Sequence, residues 1–160
     1  MADLAATYDP ATELPRFVDL LREHFGESLV SVVLYGSRAR GDARPESDLD
    51  LLVVANGLPG SRLARQRILI RLARQVSDDF DDALSGVPLT PEEAARTRFF
   101  YLGMLSGHLI LHDRDGFFGG VLQRLTARLG ELGARRLYDE DGYEYWDLKP
   151  DWKPGDVVEL

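Results

Sequence analysis

The apolar positions near the N-terminus repeat at helical spacing. Leu14, Phe17, Val18, Leu21 and Phe25 stand at i, i+3, i+4, i+7 and i+11, which puts them on one face of a first helix ended by Gly26. Leu29–Tyr35 is then a compact Val-rich run without alternation, the pattern of a strand buried on both faces. A polar loop holding Gly41, Pro45 and Ser47 separates it from a second such run at residues 49–54, and Asn56-Gly57 and Pro59-Gly60 are strong turn signals. Residues 61–76 predict a basic amphipathic helix, with Leu69, Leu72, Ala73 and Val76 inward and Arg67, Arg71 and Arg74 on another face.

Beyond it the acids Asp78, Asp79, Asp81 and Asp82 read as a linker into a third strand over residues 83–89, where Pro88 implies a strand end or a sheet edge. Thr90-Pro91-Glu92-Glu93 is a capping box with Pro at the first helical position, predicting a helix to about Met104. A short apolar stretch at residues 108–112 reads as a strand, and Phe118, Val121, Leu122, Leu125 and Leu129 restore the helical period. The expected fold is α+β with α/β-like alternation, a small mixed sheet flanked by helices. Residues 1–134 form the domain, with a helix at its C-terminal end, and residues 135–160 an aromatic and acidic extension, packed on the domain or used to dock a partner.

Composition narrows the function more than the fold. The 160 residues suit one domain, and 44% hydrophobic with 29% charged residues excludes a disordered chain. The absence of Cys excludes disulfides, thiolate zinc sites and Cys nucleophiles. No apolar run approaches the about 20 residues of a membrane span, and Asp3, Asp9 and Glu13 do not fit a secretory leader, so a cytoplasmic, membrane-free protein is expected. The net charge is -8, yet residues 36–76 carry eight basic against four acidic residues. Such a chain is a poor non-specific DNA binder and fits a local anion site instead.

That basic segment contains Tyr35-Gly36-Ser37-Arg38-Ala39-Arg40-Gly41-Asp42-Ala43-Arg44-Pro45-Glu46-Ser47-Asp48-Leu49-Asp50. Residues two apart on a strand share a face, so Asp48 and Asp50 project their carboxylates side by side. Two like charges that close call for a cation, and hard oxygen ligands with open positions suit Mg²⁺. Gly36 allows close approach of backbone to an anion, Ser37 offers a hydroxyl at the next turn, and Arg38, Arg40 and Arg44 add positive charge. These are the parts of a nucleoside triphosphate cradle beside a metal site.

Gly36-Ser37, ten residues, then Asp48-Leu49-Asp50 resembles the signature of the DNA polymerase beta-type nucleotidyltransferase superfamily, and within it the minimal, antitoxin-like prokaryotic branch. The resemblance implies transfer of a nucleoside monophosphate, AMP from ATP above other NTPs, to a hydroxyl of a protein, RNA or small molecule, with release of pyrophosphate. It implies two Mg²⁺ ions on Asp48 and Asp50, and the phosphates on Gly36, Ser37, Arg40 and Ser47. The family also uses a third carboxylate on the next strand. That strand has no acid inside it, so Asp82 at its entrance is the first candidate and Asp81 the second; a register placing Ser85 there would leave the site one ligand short. The corresponding alternative is a catalytically weak binding module, the antitoxin of a HEPN-type partner. An aminoglycoside-type enzyme fits less well, since no second helical domain is evident.

Other features have plainer readings. The arginines of residues 62–74 read as a solvated helix face, His24, His108 and His112 as structural, and Tyr138, Tyr143, Tyr145, Trp146 and Trp152 as a cover for apolar surface, a face that docks a partner protein, or a stacking surface for a nucleic acid base, the last weakened by the tail's acidic charge.

Overall fold

A computed structural model describes residues 9–160. Helix α1 (Pro10–Phe25) opens with Asp9 as its N-cap and closes at Gly26. Strands β1 (Leu29–Tyr35) and β2 (Leu49–Ala55) flank the short helix α2 (Ser37–Arg40) and the polar loop. Then come α3 (Arg62–Arg74), α4 (Asp78–Ala83) and β3 (Leu84–Leu89), followed by α5 (Pro91–Ala94), α6 (Phe100–Met104), β4 (Leu109–Asp113) and α7 (Phe117–Leu132). A hairpin of β5 (Arg135–Tyr138) and β6 (Glu144–Asp147) completes the chain's regular structure.

The four-stranded sheet has the order β3-β2-β1-β4, with β1 antiparallel to both neighbours and β2 parallel to β3. It is the mixed sheet the alternation predicts, and Pro88 stands on the edge strand β3, where its missing N–H disturbs no second ladder. One face carries α1, α3 and α4, packed through Phe17, Leu21, Leu69 and Phe80 on Val32, Leu51 and Val53. The other carries α5, α6 and α7, packed through Tyr101, Met104, Phe118 and Leu125 on Val33, Leu52 and Val54. Burial on both faces is why β1 and β2 read as continuous apolar runs.

Three elements differ from their sequence reading. The acids at 78–82 are not a linker: Ser77 accepts the Phe80 N–H at 3.0 Å and starts α4, where carboxylates in the first turn complement the helix dipole. The helix beginning at the Thr90 capping box is two helices, because the chain turns so that the buried Tyr101 brings its hydroxyl 3.0 Å from the Ala94 carbonyl. The arginine face of α3 is not wholly solvated, since Arg65 is 7% exposed and donates to Glu93 at 2.6 Å.

Candidate functional site

The site lies where β1 ends and β2 and β3 begin. Gly36 takes φ 74°, ψ -161°, a conformation open to glycine, and Ser37 starts α2 directly behind it. A Cβ on Gly36 would fall into the Asp50 carboxylate, so this glycine gives that carboxylate its room. Asp50 faces Tyr35 across the antiparallel ladder and Ser85 across the parallel one. It shares a face with Leu52 and Val54, so it looks towards the α5–α7 side of the sheet. Asp48, two residues earlier, stands exposed at the mouth of the strand while Asp50 is half-buried.

Burial and then the Asp48 charge push the Asp50 carboxyl above its ordinary value, while a hydrogen bond from Ser85 and the charge of Arg40 act the other way. A raised carboxyl beside a second carboxylate is the electrostatic condition of a site that takes a cation. Tyr35 is pushed up to about 12, first by burial and then by Asp50. Its ring stacks at 5.5 Å on Phe100, which contacts Tyr101 at 4.8 Å, and Tyr101 meets Phe118 at 5.2 Å. This aromatic series ties the site into the core.

The arginines divide their work. Arg38 donates to the Ser47 carbonyl at 2.7 and 3.0 Å and to the Pro45 carbonyl at 3.3 Å, bracing the loop that delivers Asp48. The Ser47 hydroxyl accepts the Arg44 N–H at 2.8 Å, which makes Ser47 a turn former in that loop. Arg40 lies 3.5 Å from Asp42, and its stem crosses Gly107, where a Cβ would come within 2.8 Å of the Arg40 Cγ.

The structure therefore brings Gly36, Ser37, Arg40, Asp48 and Asp50 together. Asp82 stands exposed on α4, ahead of the strand, and the charges acting on Asp50 are those of Asp48 and Arg40. Asp81 is 3.0 Å from Arg74. The residue of β3 beside Asp50 is Ser85. Tyr35 joins the site through its register with Asp50 and Gly107 through its contact with the Arg40 stem, neither of which a sequence motif marks, whereas Ser85 is the residue the register alternative places beside Asp50.

The sequence profile of the nucleotidyltransferase domain family matches residues 14–96. "Putative protein adenylyltransferase MJ1305" of Methanocaldococcus jannaschii is 33% identical over 137 residues, covering 84% of this chain and 93% of that protein. A second protein of that name and organism, MJ0141, is 33% identical over 73 residues, 46% of this chain and 70% of its own. Among solved structures, a toxin-antitoxin with AMP-PNP shares the fold, with a TM-score of 0.50 and 20% identity over 76% of this chain and 93% of that one. A profile match over half the chain and a 33% identical relative covered along 93% of its length show that this chain belongs to the nucleotidyltransferase domain family and is a nucleotidyltransferase.

Proposed function

We propose that the protein transfers AMP from ATP to a hydroxyl group of an acceptor, a protein in preference to RNA or a small molecule, with Mg²⁺ as the metal. The observation that carries this reading is the meeting of Asp50, Asp48 and the Gly36-Ser37 turn at one end of the sheet. The acceptor oxygen forms a bond to the α-phosphorus, the bond from that phosphorus to the β-bridging oxygen breaks, pyrophosphate leaves with the electron pair, and the hydroxyl proton passes to a general base, Asp82 in this proposal. The preference for a protein acceptor is supported by the name of the 33% identical relative.

The residues fit Mg²⁺. Among the described residues no group of three or more His, Asp or Glu stands where it could hold a metal ion. Two carboxylates at the strand mouth instead leave coordination positions for phosphate oxygens and water, as Mg²⁺ prefers. Asp48 and Asp50 would hold the metal, two ions in the fullest form of the proposal, which when bound offsets charge on the phosphates. Gly36, Ser37 and Arg40 receive the phosphates, and Ser47 contributes by shaping the loop.

The protein incubated with α-labelled ATP, Mg²⁺ and host lysate is expected to label a macromolecule, and Asp50→Asn to label none while staying folded. Equal labelling by that variant sinks the proposal. Asp82, exposed on α4 ahead of β3, is proposed as the third acid, with Ser85 as its rival beside Asp50. The assignment to Asp82 requires Asp82→Asn to lose about a hundredfold or more in kcat, the scale of a general base; the same loss at Ser85→Ala alone gives the place to Ser85.

A second reading rests on the same strand. With Ser85 beside Asp50, the protein would act mainly by binding, as the antitoxin of a HEPN-type partner, and the toxin-antitoxin with the same fold supports raising it. Copurification with such a partner from the native host supports this reading. Robust transfer by the isolated chain onto unrelated proteins counts against it.

A further inference from the structure

The hairpin β5–β6 lies outside residues 14–96 matched by the family profile, yet it lines a cavity of about 590 Å³ beside the site. One wall is Arg40 and Asp42 at the end of α2; the facing wall is Arg136, Tyr138, Tyr143 and Glu144. We propose that this cavity receives the nucleoside of the triphosphate, so that the hairpin is the nucleoside-binding element of the enzyme. The assignment rests on the nucleotidyltransferase reading above.

Chemistry and position both point there. Each arginine of the lining has an acid beside it: Arg40 lies 3.5 Å from Asp42, and Arg136 lies 3.9 Å from Glu144, which also accepts the Ser106 hydroxyl. Beyond Arg40, whose charge serves the phosphates at the edge shared with the site, the facing wall of Arg136, Glu144 and the tyrosines offers donors and acceptors to a neutral planar group. Tyr138 and Tyr143 are 61% and 72% exposed, unburied rings of the type on which bases stack. The Arg136 guanidinium sits 6.0 Å from the centre of the Trp146 ring, which fixes its plane. The volume is ample for a nucleoside and ordinary for a small-molecule pocket.

The cavity also adjoins the reacting end. Arg40 borders it and contributes its charge at Asp50. In the order β3-β2-β1-β4, its core walls follow β1 and precede β4, while Ser85 on β3 lies on the opposite side of Asp50.

The test is titration of the full chain with Mg²⁺ and two probes, AMP-PNP and inorganic tripolyphosphate, which lacks the nucleoside. Tyr143→Ala and Tyr138→Ala, with thermal melts to confirm folding, are expected to weaken AMP-PNP about tenfold and leave tripolyphosphate unchanged, the scale of one lost stacking contact. Tyr143→Phe keeps the ring and is expected to bind AMP-PNP as the wild type does. Unchanged AMP-PNP binding overturns the inference, and if transfer falls at the same time the cavity belongs to the acceptor. Equal weakening of both probes overturns it too, since the hairpin then serves the phosphates or the fold. A wild type that binds tripolyphosphate as tightly as AMP-PNP has no nucleoside pocket. One that binds neither overturns the nucleotide site itself.

Discussion

At the scale of single residues the site is a contest between stability and charge. Asp50 is an acid whose folded-state pKa is raised, by burial first and by Asp48 second. Above its ordinary range it must ionise against that environment, so the ionised form disfavours folding of the metal-free protein, and the penalty disappears as pH falls and both states bind the proton. Asp50→Asn is therefore expected to raise Tm at pH 8 without metal and to give no gain near pH 3. Melting curves of both proteins at the two pH values check this. Gly36→Ala runs the other way. It demands φ 74° of a residue with a Cβ and drives that Cβ into the carboxylate, so it is expected to lower both Tm and Mg²⁺ affinity. Retained Mg²⁺ affinity in a folded Gly36→Ala variant would refute the role given to that glycine.

At the scale of elements, what could be read early was whatever is local. The capping box at Thr90 is complete in the structure: Glu93 N–H reaches the Thr90 hydroxyl at 3.3 Å, and Thr90 N–H reaches the Glu93 carboxylate at 2.9 Å. Four adjacent residues carry that information, and Gly36-Ser37 with Asp48 and Asp50 is local in the same sense. The end of that helix was not legible, because it depends on where Tyr101 finds an acceptor, seven residues back. Nor was Arg65, whose partner Glu93 lies 28 residues on. Its guanidinium holds the Glu93 carboxyl below its usual range, with the Thr90 amide adding to the effect. A lowered acid stabilises above the ordinary carboxylate range, and its contribution is lost as pH falls through that range towards the folded value. Glu93→Gln, which keeps an oxygen for Thr90 but loses the ion pair, is expected to destabilise at pH 7 and to converge with the wild type near pH 3. Parallel stability curves down to pH 3 would show that the pair contributes nothing.

At the scale of the whole molecule, the tail shows why the remaining parts escaped a reading of the sequence. Its aromatics form one cluster along the chain, but the fold sends them in two directions. Trp146 and Leu148 pack on the cluster formed by α5–α7, while Tyr138, Tyr143, Tyr145 and Trp152 remain exposed. Spacing could not separate them, because the register puts Trp146 and Tyr138 on the same face of the hairpin, and only Trp146 meets the core while Tyr138 stays exposed. Trp146 is then the anchor that keeps the exposed tyrosines opposite Arg40. Its indole N–H is buried without a hydrogen-bond partner, so its value lies in ring area and contact with Arg136. Trp146→Ala is expected to cost about 2 kcal/mol, below the usual range for an aromatic because the ring is only partly buried, or roughly 4–8 °C in Tm. Trp146→Phe removes the unpaired donor and keeps most of the contact, so it is expected to cost less than half as much. Hydrogen exchange locates the effect: with Trp146→Ala, amides of β5 and β6 should lose protection while those of β1 and β2 keep theirs, because the sheet has its own core on both faces. Loss of protection spread evenly over sheet and hairpin would make the tail an inseparable part of one cooperative unit, and the hairpin could not then be treated as a wall added beside a self-sufficient catalytic core.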